Sequence, residues 1–529
     1  MRRKLSFWLL VLASIGFSEN PIIQTKFTAD PAPMVWNDTV FLYTSHDEDN
    51  ATGNGGFQMK DWMLYTSTDM VNWRDRGVVA SLANFKWGPQ DNGAWAVQTI
   101  RRNGKFYMYA PLHGKGIGVL VSDSPYGPFT DPLGKALVAD DPWKYIDPSP
   151  FIDSDGQAYL YFGNPDAYYV KLNSDMISRS GTIGMVPRLT SYQEGPWIYK
   201  HGSNYYLAFA STCCPEGIGY AMSTSPTGPW TYKGSIMDGN SRSSGNHPGI
   251  IDFKGKSYVF GFNYAINFSQ VTDQRERRSI ALSEMKYNAD GTIQKLPWWG
   301  GDMPSASNVS PVDSLNPYVQ TEAETMAWSK GVKTEPCGEG GMDLASLENG
   351  DYIKLKSVDF AQGAASFDAR VASASSGGSI EIRLDSETGK LVGTCAVSGT
   401  GGWQTWTTKS CAVDGASGVH DLFLVFKGGS GSLFNFNWWK FKNLTTAVDP
   451  QAKGAGIEDV RWNRAAGELV IRTSSPQASV ELVSAQGDVR PLGIGSLVRL
   501  QTRGIRPGIY LVRVRQAGSV QTRKILLNL

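Results

Sequence analysis

Residues 147–161 read DPSPFIDSDGQAYLY. An ionisable residue and a proline lead into a short apolar run, then a Ser/Asp/Gly turn, then a segment in which aromatic residues alternate. A period of two with aromatic content marks a strand, and two such runs joined by a polar turn mark a hairpin. The arrangement recurs on both sides of this stretch. It reads DPAPMVW from Asp30 with NDTVFLY from Asn37, and WAVQTIR from Trp95 with NGKFYMY from Asn103. It returns as EGPWIYK from Glu194 with GSNYYLA from Gly202, and as HPGIIDF from His247 with GKSYVFG from Gly255. The leading residue stands eleven positions before the first aromatic of the next strand in four copies, and twelve (Asp147 to Tyr159) in the fifth. A second pattern trails some copies: SDSPYGPF from Ser122, STSPTGPW from Ser223 and, more loosely, STDMVNW from Ser67.

Repeats of roughly 45 to 65 residues, each with several strands, predict a radial array. Five copies give an all-β, five-bladed β-propeller over residues 19–300. In a propeller the first strand of each blade lines the axis. Asp30, Trp95, Asp147, Glu194 and His247 are therefore expected to meet in one pocket. A single DP or GP is ordinary turn punctuation; recurrence in phase is what argues for convergence.

The pattern stops after Trp298-Trp299. Residues 301–316, rich in Gly, Ser, Pro and Asn, read as a linker. Short strands separated by Gly/Ser turns over 317–443 predict a β-sandwich (jelly roll). Residues 444–456 read as a second linker, and 457–529 as a small C-terminal β-sandwich with period-two runs such as ELVIRTS and GIYLVRVRQ. From Thr446 onward there are 12 Lys+Arg against 6 Asp+Glu. The arginines alternate with apolar residues, so the basic excess reads as one solvent face.

Met1-Arg2-Arg3-Lys4 followed by apolar Leu5 to Phe17 reads as a signal peptide over residues 1–18, and a secreted or cell-surface protein is expected. No later stretch is apolar enough for a membrane helix. The formal charge is +1, which favours no nucleic-acid partner. Export permits disulfides among the five Cys. Cys395 and Cys411 could close a loop between neighbouring strands, and the adjacent Cys213 and Cys214 could bridge or stay reduced. No Cys-x-x-Cys pair suggests zinc.

Three carboxylates in one partly dry pocket have their pKa values pushed apart by desolvation and like charge. One then holds a proton while another stays ionised. Glycosidic bond cleavage needs such a pair, and no G-x-S-x-G, H-E-x-x-H or P-loop motif offers another chemistry.

The segments TADPAP, YIDPSPFID, YQEGPWIYK and SSGNHPGIIDFKGKSYVFGFN resemble glycoside hydrolase family 43 over nearly the whole of the first 300 residues. The resemblance implies a five-bladed, anomer-inverting propeller enzyme. It assigns Asp30 as general base, Glu194 as general acid and Asp147 as the carboxylate that orients the acid and raises its pKa. Inversion needs room for a water, so Asp30 and Glu194 are expected roughly 6.5–9.5 Å apart. Trp95 would form part of the sugar subsite. His247 matches an axial His that helps hold calcium through water. Arg278, in RRSIALSEM, matches a substrate-facing Arg. On the bare pattern, Trp95 and His247 also read as core residues. GNPDAYYVKLNSDMISRSG and STCCPEGIGYAMSTSPTGPW look like the arabinoxylan branch, implying an α-L-arabinofuranosidase. A β-xylosidase and a non-catalytic polysaccharide-binding protein are the alternatives.

EAETMAW, ENGDYIKLKSVDF, GGWQTW and FNFNWWKF resemble carbohydrate-binding module family 6. Trp403 and Asn435 match its sugar-stacking and hydroxyl-binding positions. Glu322, Glu324 and Asn437 match its structural calcium site, with a solvated acidic pair as the alternative reading of the two glutamates. Ala345-Ser346 stand where Gly-Tyr is usual, which leaves the second aromatic wall open. Tyr352 could replace it, but a buried strand Tyr fits that position better. No organic cofactor is expected. The tail resembles C-terminal sorting domains of type IX secretion and basic terminal domains of exported enzymes, which would make outer-membrane secretion machinery a partner. A monomer is expected.

Overall fold

The computed structural model describes residues 19–444 apart from 52–56, 188, 241, 242, 244, 274, 301 and 302, and residues 456–527 apart from 464–467, 485–488, 503, 504, 506, 507, 517 and 518. The predicted signal peptide and nearly all of the second linker lie outside the described residues.

Each aromatic repeat forms the inner two strands of one antiparallel blade. Blade one is Thr28–Trp36, Thr39–His46, Asp61–Ser67 and Trp73–Ser81. Blade two is Gln98–Arg102, Lys105–Leu112 and Gly116–Ser122. Blade three is Ser149–Ile152, Ala158–Phe162, Tyr168–Leu172 and Arg179–Met185. Blade four is Tyr192–His201, Asn204–Ser211, Gly217–Ser223 and Thr231–Met237. Blade five is Gly249–Phe253, Lys256–Asn263 and Ser279–Met285. Each innermost strand neighbours the next, and the fifth neighbours the first, so the ring closes. Residues 20–28 seal it along the edge of blade five. Ile22 and Thr28 donate backbone N–H groups to Ile280 and Arg278, and Asn20 exchanges side-chain bonds with Leu282.

Tyrosines of the second strands tie successive blades together. Tyr43 donates its hydroxyl to Pro125 O at 2.7 Å, Tyr109 to Met176 O at 2.6 Å and Tyr206 to Gly291 O at 2.7 Å, and Tyr161 donates to Pro226 O. Pro125 and Pro226 are the prolines of the SPYG and SPTG turns, so the second repeated pattern supplies acceptors for the first. A buried Tyr needs such a partner for its polar tip.

The sandwich packs a sheet of Lys333–Pro336, Met342–Ala345, Asn435–Asn443, Ala364–Ser373 and Gly402–Ala412 on one of Trp328–Lys330, Tyr352–Asp359, Val419–Gly428, Gly377–Leu384 and Lys390–Ser398. Phe367, Phe426, Phe436, Trp439 and Phe441 fill the space between. The stretch read as a linker is an ordered strap. Ser305–Ala306 pairs with Glu19–Asn20, Asn308 bonds both backbone groups of Glu284, and Val309 is fully buried. The polar side chains that suggested a loop satisfy an exposed strand edge instead.

The sandwich is also joined to the propeller by pairing. Thr325–Met326 adds a fifth strand to blade one against Trp73–Ser81. Asn72 exchanges two hydrogen bonds with the backbone of Lys356, and Thr334 Oγ1 donates to Asp75 Oδ2 at 2.7 Å. Cys213 and Cys214 are bridged, whereas Cys395 and Cys411 face each other as free thiols. The tail is a separate unit of two antiparallel sheets around Leu469, Ile471, Val480, Val512 and Val514. Among the described residues no helix is long and apolar enough to cross a membrane.

Candidate active site

The residue before proline takes a left-handed conformation within the innermost strand of blade one and just ahead of that of blade three. Asp30 and Asp147 hold φ of 50° and 58°, left-handed values that cost a non-glycine residue roughly 1–3 kcal/mol. Pairing in blade one shifts between Ala29 and Ala32, across Asp30. A bulge of this kind re-aims a side chain next to a site. In blade four the left-handed residue before proline is Gly195, at φ 57°. Glu194 therefore stands one residue ahead of the position that Asp30 and Asp147 occupy, which corrects the phase inferred from spacing. The reason is steric. A Cβ on Gly195 would lie 2.6 and 2.7 Å from the ring carbons of His247. The carboxylate is delivered from the neighbouring position instead, with pairing shifts on both sides of Glu194.

The structure brings Asp30, Trp95, Asp147, Glu194, His247 and Arg278 to one cavity of about 210 Å³. That is below the usual range for drug-sized ligands, about 300–1,000 Å³, and suits a single sugar ring. His247 lies among the carboxylates. Its Nδ1 is 3.5 Å from Asp30 Oδ1, while its Nε2 is 3.3 Å from Glu194 Oε1 and 3.7 Å from Asp147 Oδ2. Asp147 and Glu194 thus share one edge of the imidazole, and Asp30 faces the other.

Arg278 is 2% exposed and fully engaged. Its Nη1 donates to Asp30 Oδ1 at 2.8 Å and to Gly245 O at 3.3 Å. Its Nε and Nη2 grip the two oxygens of Asp47 at 3.0 and 2.9 Å. Its guanidinium lies over Phe57, 4.8 Å from the ring centre. With its donors occupied, Arg278 holds Asp30 more than it offers itself to a substrate.

These contacts separate the carboxyl groups electrostatically. Burial pushes Asp30 up, but Arg278 and His247 outweigh it and hold its pKa below the ordinary value. Burial dominates at Asp147, where Glu194 and Asp30 add to it against His247, and the pKa rises to about 7. For His247 burial works downward, yet the surrounding carboxylates raise it to about 10, an imidazolium at neutral pH. One ionised carboxylate and one carboxyl able to hold a proton therefore face each other across a cation.

Four participants escaped the sequence reading. Asp47 anchors Arg278, and Phe57 lies under its guanidinium. Asn164 donates Nδ2 to Glu194 Oε2. Glu216 is 2% exposed, and its Oε2 accepts the backbone N–H of Asn246 at 2.8 Å, pinning the loop that carries His247. All four lie outside the repeated motif. The acidic cluster HDED and the GNPD turn were the only signals for Asp47 and Asn164.

Calcium takes six to eight oxygen ligands. A cavity of about 20 Å³ adjoins the pocket, lined by Asp30, Asp147, His247, Gln98 and several prolines. Asp30, Asp147 and Gln98 line it with oxygen atoms, and waters would have to complete the shell through which His247 was expected to hold an ion. At the predicted sandwich site Arg74 Nε lies 3.1 Å from Glu324 Oε1 and Nη2 lies 3.9 Å from Glu322 Oε1. Asn437 turns its amide to Glu339 at 3.0 Å. Arg74 takes one oxygen of Glu324 while Oε2 stays buried without a partner, so the guanidinium fills the predicted cation site only in part.

In the sandwich, Asn435 is buried and donates Nδ2 to Glu335 Oε1 at 2.8 Å. Gln404, beside Trp403, donates to the same oxygen at 3.2 Å. Trp403 and Asn435 therefore share one end of the same sheet, with Trp403 38% exposed. Tyr352 belongs to the other sheet and packs on Phe423, so it builds no second wall beside Trp403.

Residues 18–293 match the family model for glycosyl hydrolases family 43, and residues 322–443 match carbohydrate binding module family 6. The chain is 35% identical to an arabinoxylan arabinofuranohydrolase of Bacillus subtilis, covering 80% of this chain and 92% of that one. It is 34% identical to an arabinoxylan arabinofuranohydrolase of Paenibacillus polymyxa, covering 81% and 75%. A solved structure of the Bacillus subtilis family 43 enzyme in complex with cellotetraose superposes with a TM-score of 0.71, at 34% identity over 80% of this chain and 97% of that one. The chain belongs to glycosyl hydrolases family 43 and carries a family 6 carbohydrate-binding module.

Proposed function

We propose that this glycoside hydrolase is an inverting α-L-arabinofuranosidase that removes arabinose side groups from arabinoxylan. The observation that carries the reading is the split among the carboxyl groups, with Asp30 on one edge of His247 and Glu194 with Asp147 on the other. Both arabinofuranohydrolase relatives span the propeller and the sandwich, which supports arabinoxylan as the substrate.

The chemistry follows from the placement. Asp30 stays ionised because Arg278 and His247 stabilise its negative charge. It takes a proton from a water that attacks the anomeric carbon from its side. Glu194, on the opposite edge, gives a proton to the leaving glycosidic oxygen. Attack and departure on opposite faces invert the anomer. Asp147 lies against Glu194, and two carboxyls so close cannot both ionise at little cost. Burial, with the charges of Glu194 and Asp30 added, raises Asp147 to about 7, so that carboxyl holds a proton beside Glu194 near neutral pH. After one turnover Asp30 has gained a proton and Glu194 has lost one, and exchange with solvent resets both.

The sandwich, through Trp403 and Asn435, keeps the enzyme on insoluble polysaccharide. An aromatic face matches the apolar C–H face of a sugar, and an amide matches its hydroxyl rim. The N-terminal basic-apolar run supports export. The basic tail sandwich supports a role in sorting at the outer membrane.

Incubation with soluble wheat arabinoxylan and analysis of the products tests the reading. Free arabinose as the first monosaccharide is expected. Free xylose would select the β-xylosidase alternative, and no monosaccharide would favour a binding protein.

A further inference from the structure

Trp143 is 67% exposed, a large apolar surface at the rim between blades two and three. It is connected to the pocket through rings. Trp95, in the pocket wall, packs on His113 with centroids 4.3 Å apart and planes tilted by 30°, and His113 meets Trp143 edge-on at 5.0 Å. The backbone makes room for both outer rings. A Cβ on Gly93 would lie 2.5 Å from His113 Cβ, and one on Gly114 would lie 2.9 Å from Trp143 ring carbons. Both glycines hold left-handed φ, 105° and 66°.

The platform is fixed relative to the acid. The turn bearing Trp143 is held by the N–H groups of Asn164 and Gly163, which donate to Lys144 O at 3.0 Å and Ile146 O at 2.8 Å. Asn164 in turn donates to Glu194. The charges beside Trp143 are matched off, Lys144 with Asp141 at 3.2 Å and Arg179 with Asp140 at 2.8 Å. A ring with neutral surroundings suits an uncharged ligand rather than an anion.

We propose that Trp143 is a stacking subsite for the xylan main chain, which lies across the pocket mouth while its arabinose branch enters. This rests on the arabinoxylan reading above. The pocket of about 210 Å³ holds the branch and has no room for the main chain, which must find its surface on the rim. Among the described rim residues, Trp143 offers an aromatic surface joined to the pocket wall by ring contacts.

Linear xylohexaose, which has no arabinose branch, tests the subsite in the full-length chain. Glu194→Gln suppresses turnover and Trp403→Ala removes the stacking residue of the sandwich. In that background, calorimetric titration should give a Kd about tenfold weaker when Trp143→Ala is added, and one close to the background value for Trp143→Tyr, which keeps a stacking face. A change of less than about twofold for Trp143→Ala, or no measurable binding in the background protein, would overturn the subsite. The arabinofuranosidase reading fails separately, if the wild-type chain frees no arabinose from arabinoxylan.

Discussion

Arg278 Nη1 lies 2.8 Å from Asp30 Oδ1, and both side chains are almost wholly buried. The pair joins the last blade to the first and sets the charge of the proposed base. Arg278 is held by Asp47, so its charge is fixed before any substrate arrives. Preorganised charge of this kind is worth more in a dry site than in water.

Arg278→Lys should lower kcat/KM by at least about a hundredfold, since a point charge cannot bridge Asp30 and Asp47 as a planar fork does. The acidic limb of the pH profile should also move. Arg278 holds Asp30 below its ordinary pKa, so weakening that contact raises it, and the base is lost at a higher pH. A kcat/KM profile from pH 3 to 8 checks this. An acidic limb that stays in place would argue that Asp30 is not the base.

Glu194→Gln should reduce turnover by about 10²–10⁴, the usual share of a positioned general acid. Retention on insoluble xylan should survive, because Trp403 and Asn435 stand on a different domain. A pull-down beside an activity assay measures both. Equal loss of both would contradict the division of labour.

Trp403→Ala should weaken retention on insoluble xylan by about tenfold, in line with the loss of one stacked ring. Turnover of a small chromogenic arabinofuranoside should be spared. Collapse of that turnover would show that the sandwich serves the propeller site directly.

Gly195→Ala should cost activity out of proportion to its size. The added Cβ meets the His247 ring at 2.6 Å and a left-handed backbone at once. The imidazole must shift away from Asp30 and Glu194. We expect kcat to fall by about a hundredfold or more while KM changes less, because the proton-transfer groups are disturbed. Steady-state kinetics decide this, with circular dichroism confirming the fold.

Glu324 gives a prediction about stability. Burial pushes its pKa to about 8, against the pull of Arg74. Between its ordinary value and 8 the folded chain binds this proton and the unfolded chain does not. The contribution is therefore present at low pH and lost as pH rises. Urea unfolding should show stability falling from pH 5 to 8 with a shallower slope in Glu324→Gln. Parallel slopes would place the titrating group elsewhere.

The repeat made the blades and their inner carboxylates legible, because an axial position must recur in every blade. Asp30 and Asp147 could be read from the proline that follows each. Glu194 was found at the right residue with the wrong phase, since only the close approach of His247 shows why a glycine takes the equivalent place. Asp47, Phe57, Asn164 and Glu216 were not legible. They act through contacts between connections, and connections do not repeat. The strap from 303 to 316 misled because Ser, Asn and Pro look alike whether they meet water or a strand edge. The calcium reading of Glu322 and Glu324 missed Arg74, which comes from another domain nearly 250 residues earlier.

The most direct measurement is proton NMR of arabinoxylan hydrolysis, started at the moment of mixing. With Asp30 and Glu194 on opposite edges of His247, the first arabinose signal should be the β anomer, with the α form growing only by mutarotation. An α anomer that appears first would mean retention, and would contradict the placement of Asp30 as the base for water.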